Sequence, residues 1–255
     1  MAVNEADLSD DAVLGGRLRL RQPRRSHRVG HDAILLAAAT AAQPGEHAVE
    51  LGAGVGAAGL ALACRVAGVA VTLVEIDPDL SELGRDNAAR NGLAERVRAV
   101  CLDVAAPAGA FAEAGLAPGS ADHVLMNPPF NVSQNPSPDH GRRMAHSALP
   151  ETLGQWLDTA ARLLRPHGAV TLIWRADGLG DVLASLAQNF GAVAVRPVHA
   201  KPDLPAIRVL VRAVKASRAP LALLPGLVLA DANGRPTREA EAILRGGDEL
   251  PFAAN

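Results

Sequence analysis

Val49-Glu50-Leu51-Gly52-Ala53-Gly54-Val55-Gly56 is the stretch from which the fold can be read. A short apolar run takes in an acid and then breaks into alternating glycines, with Gly59 following shortly after. Glycine lets the backbone turn sharply and lets a ligand approach with no side chain in the way. The helical stretch that follows aims its free N–H groups at that ligand. A strand, a glycine turn and a helix, in that order, open a βαβ unit.

Outward from this stretch the pattern repeats. Strand-like runs lie at 48–51, 70–75, 97–102, 123–126, 170–174, 192–198 and 208–214. Helical stretches lie at 57–67, 78–91, 108–114, 151–164 and 179–189. The second of these carries clear start and stop signals: Pro78 at its entry, Asp79 and Glu82 in its first turn, and Gly92 just beyond its end. Strands alternating with helices imply a mostly parallel sheet covered on both faces. Only a loop with Lys201, Pro202 and Pro205 separates the last two strands, so these should form an antiparallel hairpin. The expectation is an α/β, Rossmann-like fold with a seven-stranded, mostly parallel sheet ending in a C-terminal antiparallel hairpin. Upstream, 14–20 (LGGRLRL) alternates apolar and basic residues after a Gly-Gly turn and reads as a hairpin arm or edge strand. A helix over 32–43 stops at Pro44-Gly45. The expected division is an N-terminal arm and helix at 1–46, the main domain at 47–215, and an appendage at 216–255 packed on the same domain.

Composition narrows the function classes. The chain has 255 residues, 49% of them hydrophobic, which suits one α/β domain with small additions. A net charge of −2 argues against indiscriminate coating of nucleic acid but leaves room for a local basic patch. With no Tyr, 4 Phe and 2 Trp, a base-stacking site must draw on those few rings, on His or on Arg. Cys64 and Cys101 lie far apart without a ligand motif and read as buried, reduced thiols, so no metal site is expected. The acidic, polar start is no signal peptide, and no apolar run has the length and purity of a membrane span. A soluble, cytoplasmic protein with no membrane partner is expected.

The glycine loop alone leaves its ligand open. Gly54-x-Gly56-x-x-Gly59 satisfies the dinucleotide fingerprint, and Glu75 stands about 20 residues on, where a ribose-binding acid is expected. Two features favour S-adenosylmethionine instead. Glu50 would repel a pyrophosphate, whereas it suits a ligand carrying an ammonium and a sulfonium. Asp103 ends the third strand, where a carboxylate can accept a hydrogen bond from an adenine amine.

The fourth strand runs into Asn127-Pro128-Pro129-Phe130. Consecutive prolines cannot donate backbone hydrogen bonds and stiffen the turn, so the Asn127 and Pro128 carbonyls are free to face a site. A planar amine has two N–H donors and a lone pair delocalised into its ring. The Asn127 side-chain oxygen and the Pro128 carbonyl can each accept one N–H, which lets the nitrogen pyramidalise toward a methyl donor. Phe130 can stack on the flat substrate.

The acid–glycine loop, Glu75 and Asp103 resemble the successive motifs of class I methyltransferases, and the tetrapeptide resembles the [Asn/Asp]-Pro-Pro-[Tyr/Phe/Trp] motif of amino-methyltransferases. That resemblance implies S-adenosylmethionine as cofactor. Glu75 would take its ribose hydroxyls, and the backbone of Gly52, Ala53, Gly54 and Gly56 would meet its methionine portion. Glu50 would act through the ammonium or an ordered water. Ile76, Val104 and Asn127 would complete the cofactor-binding set. Val29-Gly30-His31-Asp32-Ala33-Ile34-Leu35-Leu36 is similar to the Gly-Thr-Asp-x-x-Leu-Leu stretch of the bacterial tRNA1(Val) (adenine(37)-N6)-methyltransferase family, with His31 in place of the Thr. By that likeness Asp32 caps the helix and faces the cofactor. Pro205-Ala206-Ile207-Arg208-Val209-Leu210 and the tail at 239–245 are similar too. The implied activity is methylation of an adenine exocyclic amine in RNA, specifically tRNA. Arg17, Arg19, Arg21, Arg24, Arg25 and Arg28 read as a phosphate-binding arm, joined by Arg142 and Arg143 in the long polar loop after the tetrapeptide. Three alternatives stand beside it: a glutamine methyltransferase acting on a translation release factor, a nicotinamide-dependent oxidoreductase and a non-catalytic scaffold.

Overall fold

The computed structural model describes residues 7–24, 29–129 and 150–252. Its centre is a sheet whose parallel strands are β3 (His47–Leu51), β4 (Ala70–Glu75), β5 (Val97–Cys101), β6 (Ala121–Met126) and β7 (Leu164–Arg175). An antiparallel pair follows, β8 (Phe190–His199) and β9 (Ala206–Lys215). The spatial order β8-β9-β7-β6-β3-β4-β5 reverses direction between β3 and β6. That reversal opens a crevice at the carboxyl ends of the strands, where open α/β sheets take their ligands.

Alternation along the strands builds two cores. On β3, Ala48 faces the layer of α1 (His31–Ala39), α2 (Ala57–Arg65) and α3 (Pro78–Arg90). Val49 and Leu51 face the layer of α4 (Ala108–Glu113), α5 (Pro150–Leu163) and α6 (Leu179–Leu186). On α5, Leu153, Leu157 and Ala160 recur at helical spacing and are all buried, which gives that helix its sheet-facing stripe.

Several sequence expectations need correction. The sheet has 9 strands rather than seven, because β10 (Ala222–Leu223) and β11 (Leu227–Val228) pair in parallel with the outer edge of β8. Each is a two-residue segment broken by Pro225, too short to show a period. The arm is a separate two-stranded hairpin of β1 (Leu8–Val13) and β2 (Leu18–Pro23), and Leu14–Gly16 is its turn. A hairpin arm is expected here, but β1 (LSDDAV) lacks apolar alternation, so no strand is expected from its own sequence. Pairing holds it instead: Asp10 meets Arg19 at 3.1 Å and Arg90 at 2.8 Å, and Asp11 accepts from Gln22 at 2.7 Å. Helix α1 is shorter than the expected 32–43, and its N-cap is Gly30, not Asp32. The two cysteines are free, as expected, but Cys64 is only half-buried and Cys101 is exposed, since it ends the edge strand β5. A short helix α7 (Arg238–Glu241), capped by Thr237, runs on into a π-helical turn at Ala242–Gly246.

Candidate functional site

The carboxyl ends of four adjacent strands line up Asp103, Glu75, Gly52 and Asn127, after β5, β4, β3 and β6 respectively. The loop glycines divide into two jobs. Gly52, Gly54 and Gly56 all hold positive φ, at 65°, 55° and 85°. A Cβ on Gly56 would lie 2.6 Å from Leu73 Cδ1, and one on Gly59 would lie 2.5 Å from Leu73 Cδ2 and 2.8 Å from Glu50 Oε2. Those two glycines let α2 lie tightly on the sheet. A Cβ on Gly54 would meet nothing within 4 Å, so this turn faces open space. The Ala53 N–H donates to the Val74 carbonyl at 3.0 Å and pins the loop to β4.

Both acids of the loop region are committed to backbone donors. Glu50 is 5% exposed, and its Oε2 accepts the Gly59 N–H at 2.7 Å. Because Gly56 has no side chain to cap α2, Glu50 satisfies one of the helix's first N–H groups from the strand below. Burial pushes its carboxyl up to about 8, against the pull of the Gly59 and Ala58 N–H groups. Glu75 accepts the Gly54 N–H at 2.7 Å on one oxygen and the Asp77 N–H at 3.0 Å on the other. Its carboxyl is also raised, by burial first. Ile76, next along, is a 40% exposed apolar side chain at the rim. Asp103 is exposed and folds back to accept the Ala105 N–H at 2.8 Å. Val104 is buried, and its carbonyl accepts from Thr159 on α5 at 2.9 Å.

Asn127 differs from these. Its side-chain Oδ1 is buried and has no hydrogen-bond partner among the described residues. Leu51 and Met126 are paired in register, so Gly52 and Asn127 stand side by side where the two strands end. Pro128 is buried and Pro129 half-buried; Phe130 lies outside the described residues. A buried acceptor without a donor costs about 1–3 kcal/mol. This one sits where a planar amine would supply the missing N–H.

The remaining candidates scatter. Asp32 lies in the first turn of α1 and pairs with Arg208 Nε of β9 at 2.9 Å, tying the helix to the hairpin instead of capping it. Arg17 donates to the Gly246 carbonyl and Arg19 pairs with Asp10, so both are already engaged. Arg21 has a partner as well, and Arg24 is exposed. Arg25, Arg28, Arg142 and Arg143 lie outside the described residues. Among the described residues, no cluster of His, Cys, Asp or Glu could hold a metal ion, and no helix is long and apolar enough to cross a membrane. Sequence reasoning missed Trp156 on α5, whose ring lies against Gly52, and Arg208. The scarcity of aromatic residues was the signal available for Trp156.

With the strand ends on the page, the likeness to known proteins follows their geometry. Residues 27–201 match the model of the methyltransferase small domain. The chain belongs to that family. A tRNA1(Val) (adenine(37)-N6)-methyltransferase of Porphyromonas gingivalis is 31% identical over 65% of this chain, and the aligned stretch spans 66% of that relative's length. A release factor glutamine methyltransferase of Chlorobaculum tepidum is 31% identical over 61% of this chain and 54% of its own. Among solved structures, a predicted O-methyltransferase of Agrobacterium tumefaciens is similar with a TM-score of 0.73 and 28% identity, over 86% of this chain and 98% of that one. The cofactor of methyltransferase small domain proteins with this fold is S-adenosylmethionine, and the residues present fit it: an open glycine turn, an acid at the end of β4 and an apolar rim at Ile76. Membership of a methyltransferase family leaves the nicotinamide alternative without support.

Proposed function

We propose that this protein transfers a methyl group from S-adenosylmethionine to the exocyclic amine of an adenine in tRNA. The unpartnered, buried Oδ1 of Asn127 beside the glycine loop carries the reading. The bound cofactor supplies a sulfonium-linked, electrophilic methyl. Glu75, on losing its bond from the Gly54 N–H, has a carboxylate oxygen to offer the ribose hydroxyls. Gly54 leaves room for the methionine limb. Asn127 Oδ1 and the Pro128 carbonyl each accept one N–H of the acceptor amine and turn its lone pair toward the methyl. With the cofactor in place, that lone pair would take up the methyl of the sulfonium, and the nitrogen's extra proton would then pass to water. The work is positioning and fixed dipoles, without a strong base.

The Porphyromonas relative supports an adenine as acceptor and tRNA as its carrier. Arg24 at the end of the hairpin, with Arg25, Arg28, Arg142 and Arg143, supplies the phosphate contacts in this reading. Arg17, Arg19 and Arg21 contribute least, because each already has an intramolecular partner. The Chlorobaculum relative favours a second reading, since a glutamine amide presents the same NH2 group to Asn127. Incubation with tritiated cofactor and either bulk tRNA or release factors separates the two. Label in tRNA that digests to N6-methyladenosine is the expected outcome; label only in protein overturns the proposal.

A further inference from the structure

We infer that Trp156 is a second stacking surface for the acceptor base, in addition to Phe130 of the tetrapeptide, an inference that rests on the RNA reading above. The chain holds 6 aromatic rings in all, 4 Phe and 2 Trp. Phe111, Phe190, Phe252 and Trp174 are 0%, 7%, 8% and 7% exposed and serve the cores. Among the described residues Trp156 is the one aromatic side chain that is not buried.

Its place is specific. A Cβ built on Gly52 would lie 2.3 Å from Trp156 Cη2, 2.9 Å from Cζ3 and 3.4 Å from Cζ2. The benzo edge of the indole therefore rests on the first glycine of the loop, at a position where any other residue would displace it. Gly52 neighbours Asn127 across one strand spacing, about 4.8 Å. The indole packs in part against the core beneath α5 and borders the glycine loop whose cross-strand neighbour is Asn127. Leu153 and Leu157, buried on either side of it along α5, anchor the helix, and Thr159 ties it to the Val104 carbonyl at 2.9 Å. The indole is carried on a rigid element, as a recognition surface needs to be.

Hydrogen bonds from Asn127 and Pro128 alone do not tell an adenine amine from a glutamine amide, because both present NH2. A flat aromatic wall does, since only the base has a π-face to stack. Trp156 is in this sense a specificity residue, and Gly52 is a glycine partly to make room for it.

The test compares W156F and W156L with wild type on in vitro transcribed tRNA, with binding of S-adenosylhomocysteine measured by calorimetry. W156L should lose about 10- to 100-fold in kcat/KM for tRNA, and W156F should stay within about threefold, with the inhibitor's Kd nearly unchanged in both. Thermal melts confirm that both variants fold. Trp156 emission should also be quenched by adenosine when S-adenosylhomocysteine is bound, with no quenching in W156F, where only buried Trp174 remains. W156L methylating tRNA as wild type does, or losing only cofactor affinity, overturns the stacking role while the RNA reading stands. Wild-type protein that labels release factor and no RNA overturns both.

Discussion

The two halves of the crevice are finished to different degrees. On the β3–β4 side every buried acid has its donors: Glu50 takes the Gly59 N–H, and Glu75 takes those of Gly54 and Asp77. On the β6 side Asn127 keeps a buried oxygen with no donor among the described residues. The first arrangement lets the loop hold its shape before any ligand arrives. The second leaves an acceptor that a substrate N–H group can fill. Unsatisfied polar groups in native proteins mark strain reservoirs or working sites, and this one lies where work is expected.

Substituting Asn127 gives the largest expected effect and the sharpest test of that contrast. Asn127→Ala should lower kcat by about 100- to 1000-fold, as loss of a preorganised polar group does elsewhere. S-adenosylhomocysteine affinity should stay within a few-fold. A matching loss of cofactor affinity would erase the division between the halves. Glu75→Ala should do the reverse, weakening cofactor binding by about 10- to 100-fold through loss of charge-assisted bonds worth about 1.5–3 kcal/mol. Equilibrium dialysis with labelled cofactor reads this directly.

Gly59→Ala probes packing rather than binding. Its Cβ would press on Leu73 and on the Glu50 carboxylate, and the variant should be less stable by about 1–3 kcal/mol. Gly54→Ala, with open space around the new methyl, should cost only backbone strain of about 1 kcal/mol. Chemical denaturation of the pair ranks the two glycine roles.

The Glu50 carboxyl, raised to about 8, makes folding pH-dependent. The native protein holds a proton there that the unfolded chain releases from about 4.5 upward. This contribution to stability is therefore full below pH 4.5, falls as pH rises, and levels off above about 8. The slope is at most about 1.4 kcal/mol per pH unit. Glu75, also raised, adds the same sign, whereas burial lowers His123 and gives the opposite one. The difference in melting temperature between wild type and Glu50→Gln should isolate the Glu50 part: wild type loses stability relative to the variant between pH 5 and 8. A flat difference would mean that Glu50 is already ionised behind the loop. The smallest effect is expected from Arg24→Gln, which should reduce the salt slope of tRNA binding by about one. An unchanged slope would move RNA contact off the hairpin.

Much of this was legible before the structure. The glycine loop, Glu75, Asp103 and Asn127 each fall at a strand end, so a strand-level reading placed them at one edge. Periodicity found β4 at its observed limits and every long helix within a few residues. It failed where pairing or tertiary contact takes the place of period. β1 is held by Asp10 and Asp11 bonds that no alternation announces, and β10 and β11 exist only as partners of β8. Side-chain direction was also beyond it. Asp32 sits as if to cap α1, yet Arg208 from 176 residues away takes its carboxylate. Trp156 is far from the glycine loop in sequence, and only the packing of α5 brings it onto Gly52.

The outermost strand of the sheet has a consequence for how the chain is made. β8 finds its outer partners only in residues 222–228, and Arg196 on β8 donates to the carbonyls of Pro225 and Pro251 at 2.8 Å and 2.6 Å. The Leu250 N–H reaches back to the Ala38 carbonyl at 2.8 Å. During synthesis, then, a ten-residue strand waits with one bare rim until residues 222–228 have left the ribosome. Bare rims invite pairing with other chains. The nascent protein is open to clumping in that interval, and the pairing of residues 222–228 with β8 closes it.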